Sequence, residues 1–299
     1  MTGAVVGVPT VDVGTCALCG SSNFAVAFEE APYSVRRCAV CTLVWVSPRR
    51  TAQGLRDLYG EDYWRSDSPK TVGYGDYRQD EDLYLRTFRR RMKFVLRHGP
   101  RGGKALDVGA AAGYFMKVLD ENGFEPAGVE LSAEIASHIR EHFGFDVHVG
   151  TLETAPFSPA SFDLITMWDV VEHLPDPVAV LAAARTLLKP SGALVIETQN
   201  VDSAFARLLG RRWHHYKHAE HLYHFNRRTI ADLLRETGFR IEVLTPRFGG
   251  KYVSFDFVAE RAGRIHPSVS NVLQRFAEGR SEGAYINVLD EMVLLARPV

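Results

Sequence analysis

Net charge, cysteine and long apolar runs are all scarce in this 299-residue chain, and each scarcity excludes something. Charge nearly cancels: 35 basic against 36 acidic residues leave −1. A dedicated nucleic-acid binder usually carries a basic excess. No stretch approaches the roughly 18 apolar residues needed to span a bilayer. The first Lys or Arg is Arg36, so the basic region of a signal peptide is missing and a cytoplasmic location is expected. There is no low-complexity tract and no repeat. Only four cysteines occur, too few for a disulfide scaffold. A chain of this length buries about 75% of its unfolded surface and needs no staples. What remains, with 46% hydrophobic and 24% charged residues, is an ordinary folded globular protein.

The four cysteines are not scattered. They read Cys16-Ala-Leu-Cys19 and Cys38-Ala-Val-Cys41, with residues 20–37 between the pairs. A C-x-x-C turn brings two thiolates to one ion, and two turns complete a tetrahedron. The spacing predicts a structural Zn2+ in a small ribbon with short strands near 24–28, 35–37 and 42–46. Two disulfides or a redox pair are the alternatives. No export signal supports the first, and a redox pair would follow a strand and open a helix. A four-thiolate site is closed, so it should hold the fold and do no chemistry.

Residues 1–12 read as a flexible arm, 13–48 as the zinc-ribbon module and 49–100 as a helical linker or lid. Within that linker, Tyr59, Tyr63, Trp64, Tyr74 and Tyr77 could cover a pocket. Leu83, Phe88, Met92, Val95 and Leu96 recur at helical spacing and predict an amphipathic helix over 79–98. The run Arg89-Arg90-Arg91 with Lys93 reads as its solvated face. Over 101–299 strands and helices alternate. Strands are expected at 105–108, 126–130, 146–149, 161–167, 193–197, 239–244 and 291–296. Helices are expected at 114–121, 132–143, 177–188 and 226–238, with Ser132, Asp176 and Asn226 as caps. An insertion over 248–284, with a helix near 269–277, could shape an acceptor pocket or a homodimer contact. Alternation of this kind predicts an α/β fold with a mostly parallel sheet covered on both faces. Ligands of such sheets bind beyond the carboxyl ends of the strands.

The most informative stretch is Leu106-Asp107-Val108-Gly109-Ala110-Ala111-Ala112-Gly113-Tyr114-Phe115. A strand ends in an acid, and small residues then turn tightly into a helix whose N-terminus favours an anionic group. Glu130 ends the next strand, where dinucleotide folds hold a ribose diol. A nucleoside ligand is therefore expected. The spacing Gly109-x-x-x-Gly113 is not the pyrophosphate pattern, and Asp107 would repel phosphate but suit an ammonium group.

In these residues the chain resembles the class I S-adenosylmethionine-dependent methyltransferases, with Ala111 in place of the middle glycine of their first motif. Ser161-Phe-Asp-Leu, Asp169-Val-Val-Glu-His173 and Leu187-Leu-Lys-Pro-Ser-Gly192 extend the likeness. It implies a Rossmann-like seven-stranded sheet, S-adenosylmethionine as cofactor and S-adenosylhomocysteine as product. It also implies that Asp107, Gly109, Ala111, Gly113, Tyr114 and Phe115 surround the methionine end. Glu130 would take the ribose, Leu131 and the Thr151-Leu152 segment the adenine, and Trp168 and Asp169 the far wall. Thr151 stands where the family often has an acid, so the Leu152 backbone is expected to serve instead.

A hydroxyl or carbon acceptor must lose a proton, which calls for a base near neutral pKa. His173 lies just beyond the fourth strand. A second group, Trp213 to Phe225, holds five of the 11 histidines. In it Glu220-His221 is similar to a Glu-His pair of many methyltransferases. With the zinc module, this pattern resembles the sugar C-methyltransferases, although His218 stands where those have tyrosine. Asp169-x-x-Glu172-His173 also resembles the divalent-cation stretch of ubiquinone-type O-methyltransferases. The expected activity is methyl transfer to a small hydroxylated acceptor, such as a sugar, nucleotide sugar or natural-product intermediate. His173, His218, Glu220 and His221 are the candidate catalytic residues. The alternatives are a zinc-ribbon RNA methyltransferase and a non-catalytic protein that keeps the cofactor fold.

Overall fold

The computed structural model describes residues 9–58, 80–254 and 283–299. The aromatics at 59–77 and the expected helix at 269–277 lie outside the described residues. Seven strands form the central sheet, in the order Phe239–Thr245, Glu291–Pro298, Leu188–Gln199, Phe162–Trp168, Gly103–Val108, Phe124–Glu130 and Asp146–Val149. Only Glu291–Pro298 runs antiparallel to its neighbours. The strand order reverses between Gly103–Val108 and Phe162–Trp168, and such a switch point opens a crevice at the carboxyl ends.

Both faces of the sheet are covered, so its middle strands carry buried apolar runs such as Ala193-Leu-Val-Ile196. On one face lie the helices Glu81–His98 and Tyr114–Glu121, whose Phe88 and Phe115 rings stand 5.4 Å apart. On the other lie Pro177–Leu187 and Arg227–Glu236. The three caps form where the sequence places them. Ser132 Oγ accepts from Ile135 N–H, Asp176 Oδ1 from Ala179 N–H, and Asn226 Oδ1 from Thr229 N–H. Each satisfies a backbone donor that the first helical turn leaves open.

One expectation fails. Arg91 is not on a solvated face; its side chain is 3% exposed and ion-paired with Glu197. It sits three residues from Phe88 and four from Val95, in phase with the buried stripe.

The cysteine module is a sheet of Phe24–Glu30, Tyr33–Cys38 and Val44–Ser47. Its fourth strand comes from the other half of the chain: Tyr223–His224 pairs antiparallel with Val44–Ser47. A two-residue strand carries no periodicity, so this pairing has no signal in the sequence.

Candidate active site

The loop after Gly103–Val108 shows why its residues must be small. Gly109, Ala111 and Gly113 all adopt left-handed backbone, with φ of 71°, 48° and 79°. Ala111 thus occupies a glycine-type conformation with a Cβ present. Gly109 has no such tolerance, because a Cβ there would stand 2.7 Å from Val170 Cγ2. Gly109→Ala should therefore lower stability by about 1–3 kcal/mol from strain alone, more with the clash. Urea unfolding of the two proteins would measure it, and equal midpoints would contradict the loop geometry.

Glu130 closes the loop from the adjacent strand. Its two carboxylate oxygens accept from Ala111 N–H at 3.0 Å and Ser132 N–H at 2.9 Å. A carboxylate has about four acceptor positions, so two stay available for a pair of hydroxyls. Leu131 beside it is an exposed apolar side chain, a surface on which a flat ring can rest. Thr151 caps the short turn Leu152–Thr154, and the Leu152 side chain is buried. Asp107 is buried and accepts from Thr166 Oγ1 at 2.6 Å. Burial raises its pKa to about 7, with Thr166 opposing and Glu130 adding to the rise. A cationic group brought beside it would restore its charge. Tyr114 and Phe115 open the following helix, and Trp168 packs edge-on to Phe115 with ring centroids 4.9 Å apart. The Trp168 indole N–H is buried with no hydrogen-bond partner among the described residues. Left-handed turns, a half-used carboxylate, an exposed leucine and an ammonium-compatible acid together fit S-adenosylmethionine.

Beside this crevice lies a buried charged group that the sequence does not announce. Asp169 Oδ2 meets Lys251 Nζ at 3.0 Å and Arg91 at 3.7 Å; Lys251 also meets Glu291 at 3.1 Å. Arg91 in turn holds Glu197. The available hint was Glu197, a lone acid closing the apolar run 193–196. Asp169 is committed to Lys251 and Arg91, so it does not join Glu172 and His173 as the resemblance to a cation-binding stretch implies. Among the described residues, donor atoms of Glu172, His173 and His221 converge within 4.8 Å of one another, and those of Asp169, Glu197 and Glu291 form a separate group.

His173 and His221 meet edge to face at 4.7 Å. Burial lowers the pKa of both imidazoles, and for His173 the Glu220 carboxylate opposes the shift. Both are therefore neutral at physiological pH, with a lone pair to accept a proton. Nδ1 of His221 is buried without a hydrogen-bond partner among the described residues. Burial and the Asp169 charge raise Glu172 to about 8. Thr198 Oγ1 lies 2.9 Å from Glu172 Oε2 and 2.8 Å from Gln199 Oε1. One hydroxyl proton serves only one acceptor, so a protonated Glu172 completes the chain by donating to Thr198. His218 is elsewhere: it packs between Phe28 and Tyr33 of the module, with Nε2 3.4 Å from Glu30. The structure thus gathers His173, Glu220 and His221 and leaves His218 out.

At the module, Cys16 Sγ lies 3.4 Å from Cys41 Sγ, and Cys19 Sγ 3.5 Å from Cys38 Sγ. Four thiolates around zinc at about 2.3 Å stand roughly 3.8 Å apart. Val40 and Cys41 N–H groups donate to Cys38 Sγ. Burial raises the Cys38 thiol, but these bonds and the contacts to Cys19 and Cys41 together bring it down to about 7, while burial pushes Cys16 up to about 11. A crowded thiol set of this kind, buried at Cys16, Cys38 and Cys41, suits a cation that replaces the protons.

The comparisons agree with this geometry. The methyltransferase-domain family matches residues 75–244. The ubiquinone biosynthesis O-methyltransferase of Xanthomonas campestris is 34% identical over 133 residues, 39% of this chain and 56% of its own length. That of Methylococcus capsulatus is 33% identical over 117 residues, 37% of this chain and 49% of its own length. The chain thus spans about half the length of these curated relatives. Among solved structures, a SAM-dependent methyltransferase from Thermotoga maritima covers 75% of this chain and 95% of its own, at TM-score 0.51 and 20% identity. A Pyrococcus horikoshii protein covers 80% and 99%, at TM-score 0.50 and 16% identity, a likeness of fold alone. With more than half of the residues inside the family match and the seven-stranded sheet to carry them, the chain belongs to the methyltransferase-domain family and has the class I methyltransferase fold.

Proposed function

We propose that the protein methylates an oxygen of a small hydroxylated acceptor, with His221 as general base and zinc held by Cys16, Cys19, Cys38 and Cys41. The observation that carries this reading is the orphaned Nδ1 of a buried, neutral His221 beside His173. S-adenosylmethionine, when bound, supplies an electrophilic methyl group on a sulfonium. The chain's own residues do the rest. Glu130 and the left-handed loop hold the nucleoside end, and Asp107 supplies the counter-charge for an ammonium. Nδ1 of His221 takes the acceptor proton, while the Glu220 carboxylate favours positive charge on the neighbouring His173. Alignment of acceptor and methyl group at about 3–3.5 Å contributes as much as the base.

The curated relatives named for ubiquinone biosynthesis support oxygen as the acceptor atom. The zinc module and Glu220-His221 pair support a sugar or nucleotide sugar as the acceptor class, with carbon methylation as the second reading.

The test is the pH profile of methyl transfer, measured with sugar and phenolic acceptors. Burial holds His221 below its ordinary 6.5. The neutral base is then fully present at about pH 6.5 and above, and kcat/KM should stay level through that range and fall only at pH well below it. A rate that instead climbs steadily from pH 7 to 9 would exclude these imidazoles as the base.

A further inference from the structure

We infer that the cysteine module is a strut that fixes the backbone register of the histidine segment, with Arg49 as its positioning residue, and has no part in holding the cofactor. The inference rests on the reading that His221 serves the acceptor.

The connection is short and runs through main chain. Cys41 stands three residues before Val44–Ser47. That strand pairs Val44 with His224 and Trp45 with Tyr223. Val46 N–H then donates to Leu222 O at 3.0 Å, and Leu222 N–H donates to Glu172 O at 2.9 Å. The Leu222 peptide is therefore gripped from both sides, by the module and by the turn that carries His173. His221 is its immediate neighbour. A strand slip of one residue would turn each side chain to the opposite face, so this pairing decides where His221 points.

Side chains lock the same joint. Arg49 Nη1 donates to Tyr223 Oη at 2.7 Å and Nη2 to Pro175 O at 3.2 Å. The guanidinium thus ties the segment after His221 to the segment after His173. Asn226 Nδ2 donates to Thr42 Oγ1 at 3.2 Å, next to Cys41. Arg37 pairs with Asp202 at 3.0 Å. The cofactor loop is supported differently. Gly109 and Ala110 N–H donate to Val129 O, and Ala111 N–H donates to Glu130. Those partners all belong to the central sheet. A structural metal whose folding energy is local to its module would then reach the histidines and not the nucleoside end.

The experiment uses the full-length, zinc-loaded protein with three readouts: kcat and KM for the acceptor, S-adenosylhomocysteine affinity by calorimetry, and histidine imidazole resonances with that product bound. Arg49→Ala should lower kcat at least tenfold, keep the product affinity within twofold and shift the resonances of His173 and His221. Arg49→Lys, which keeps the charge on a single donor nitrogen in place of the two-nitrogen fork, should recover part of the rate. Cys19→Ser, at the exposed ligand, should do the same as Arg49→Ala together with loss of zinc by elemental analysis. Unchanged kcat and resonances in both variants would overturn the inference, and so would an equal loss of cofactor affinity, which would make the module a general prop of the fold. Failure of the wild-type protein to turn over any acceptor would sink the oxygen-methylation reading alone, because the resonances still report the register.

Discussion

Replacing His221 by alanine will slow methyl transfer by about 10²–10⁴-fold, the usual contribution of a positioned general base, and will leave S-adenosylhomocysteine binding within about twofold. The split follows from geometry. His221 belongs to a cluster with Glu172 and His173, while the nucleoside end is built from Gly109, Ala111 and Glu130. His221→Gln is the sharper variant, since it keeps polarity and much of the volume but no basic nitrogen. It should be nearly as slow as the alanine variant. His173→Ala should lose less, because its imidazole acts beside the base, toward Glu220. Single-turnover rates with saturating cofactor would measure all three. If His221→Gln and His173→Ala both retain wild-type rates, the acceptor needs no base, and a nitrogen acceptor replaces the hydroxyl.

Replacing Glu130 by alanine has the second large effect, on binding. The carboxylate would give two charge-assisted bonds to a ribose diol, each worth about 1.5–3 kcal/mol. Their loss corresponds to at least about 100-fold in affinity. The variant also strands the Ala111 and Ser132 N–H groups, at about 1–3 kcal/mol for each that stays buried. A fall in thermal stability should therefore accompany the fall in affinity. Glu130→Gln separates the two. It keeps one acceptor oxygen and strands one loop N–H instead of two, so it should lose less stability than the alanine variant and still bind poorly. Tight binding by either variant would mean that the ribose lies elsewhere.

The sheet and its cofactor edge were legible because their causes are local. Tyr114–Glu121 and Asp146–Val149 begin and end where the pattern puts them, and Ser132, Asp176 and Asn226 cap as expected. Small residues between an acid and a helix leave few physical solutions. The acceptor side was only half legible. Glu220-His221 stands out as a pair, but which histidines converge depends on contacts far apart in sequence. His218 turns to Glu30 because the module's hairpin lies there, a fact no spacing encodes. Arg91 was misread for a similar reason. In a run of three arginines the helical phase of one is easily overlooked, and its partners, Glu197 on a strand and Asp169 just after one, are reached much later in the chain. The strand Tyr223–His224 exists only as the partner of Val44–Ser47.

The most direct test is calorimetric titration of the zinc-loaded wild-type protein with S-adenosylhomocysteine, repeated with Glu130→Gln. One site per chain on the wild type, weakened at least about 100-fold in the variant, is the outcome that the Asp107–Glu130 geometry requires. Absence of binding to the folded wild-type protein, or equal affinity in both, would contradict it.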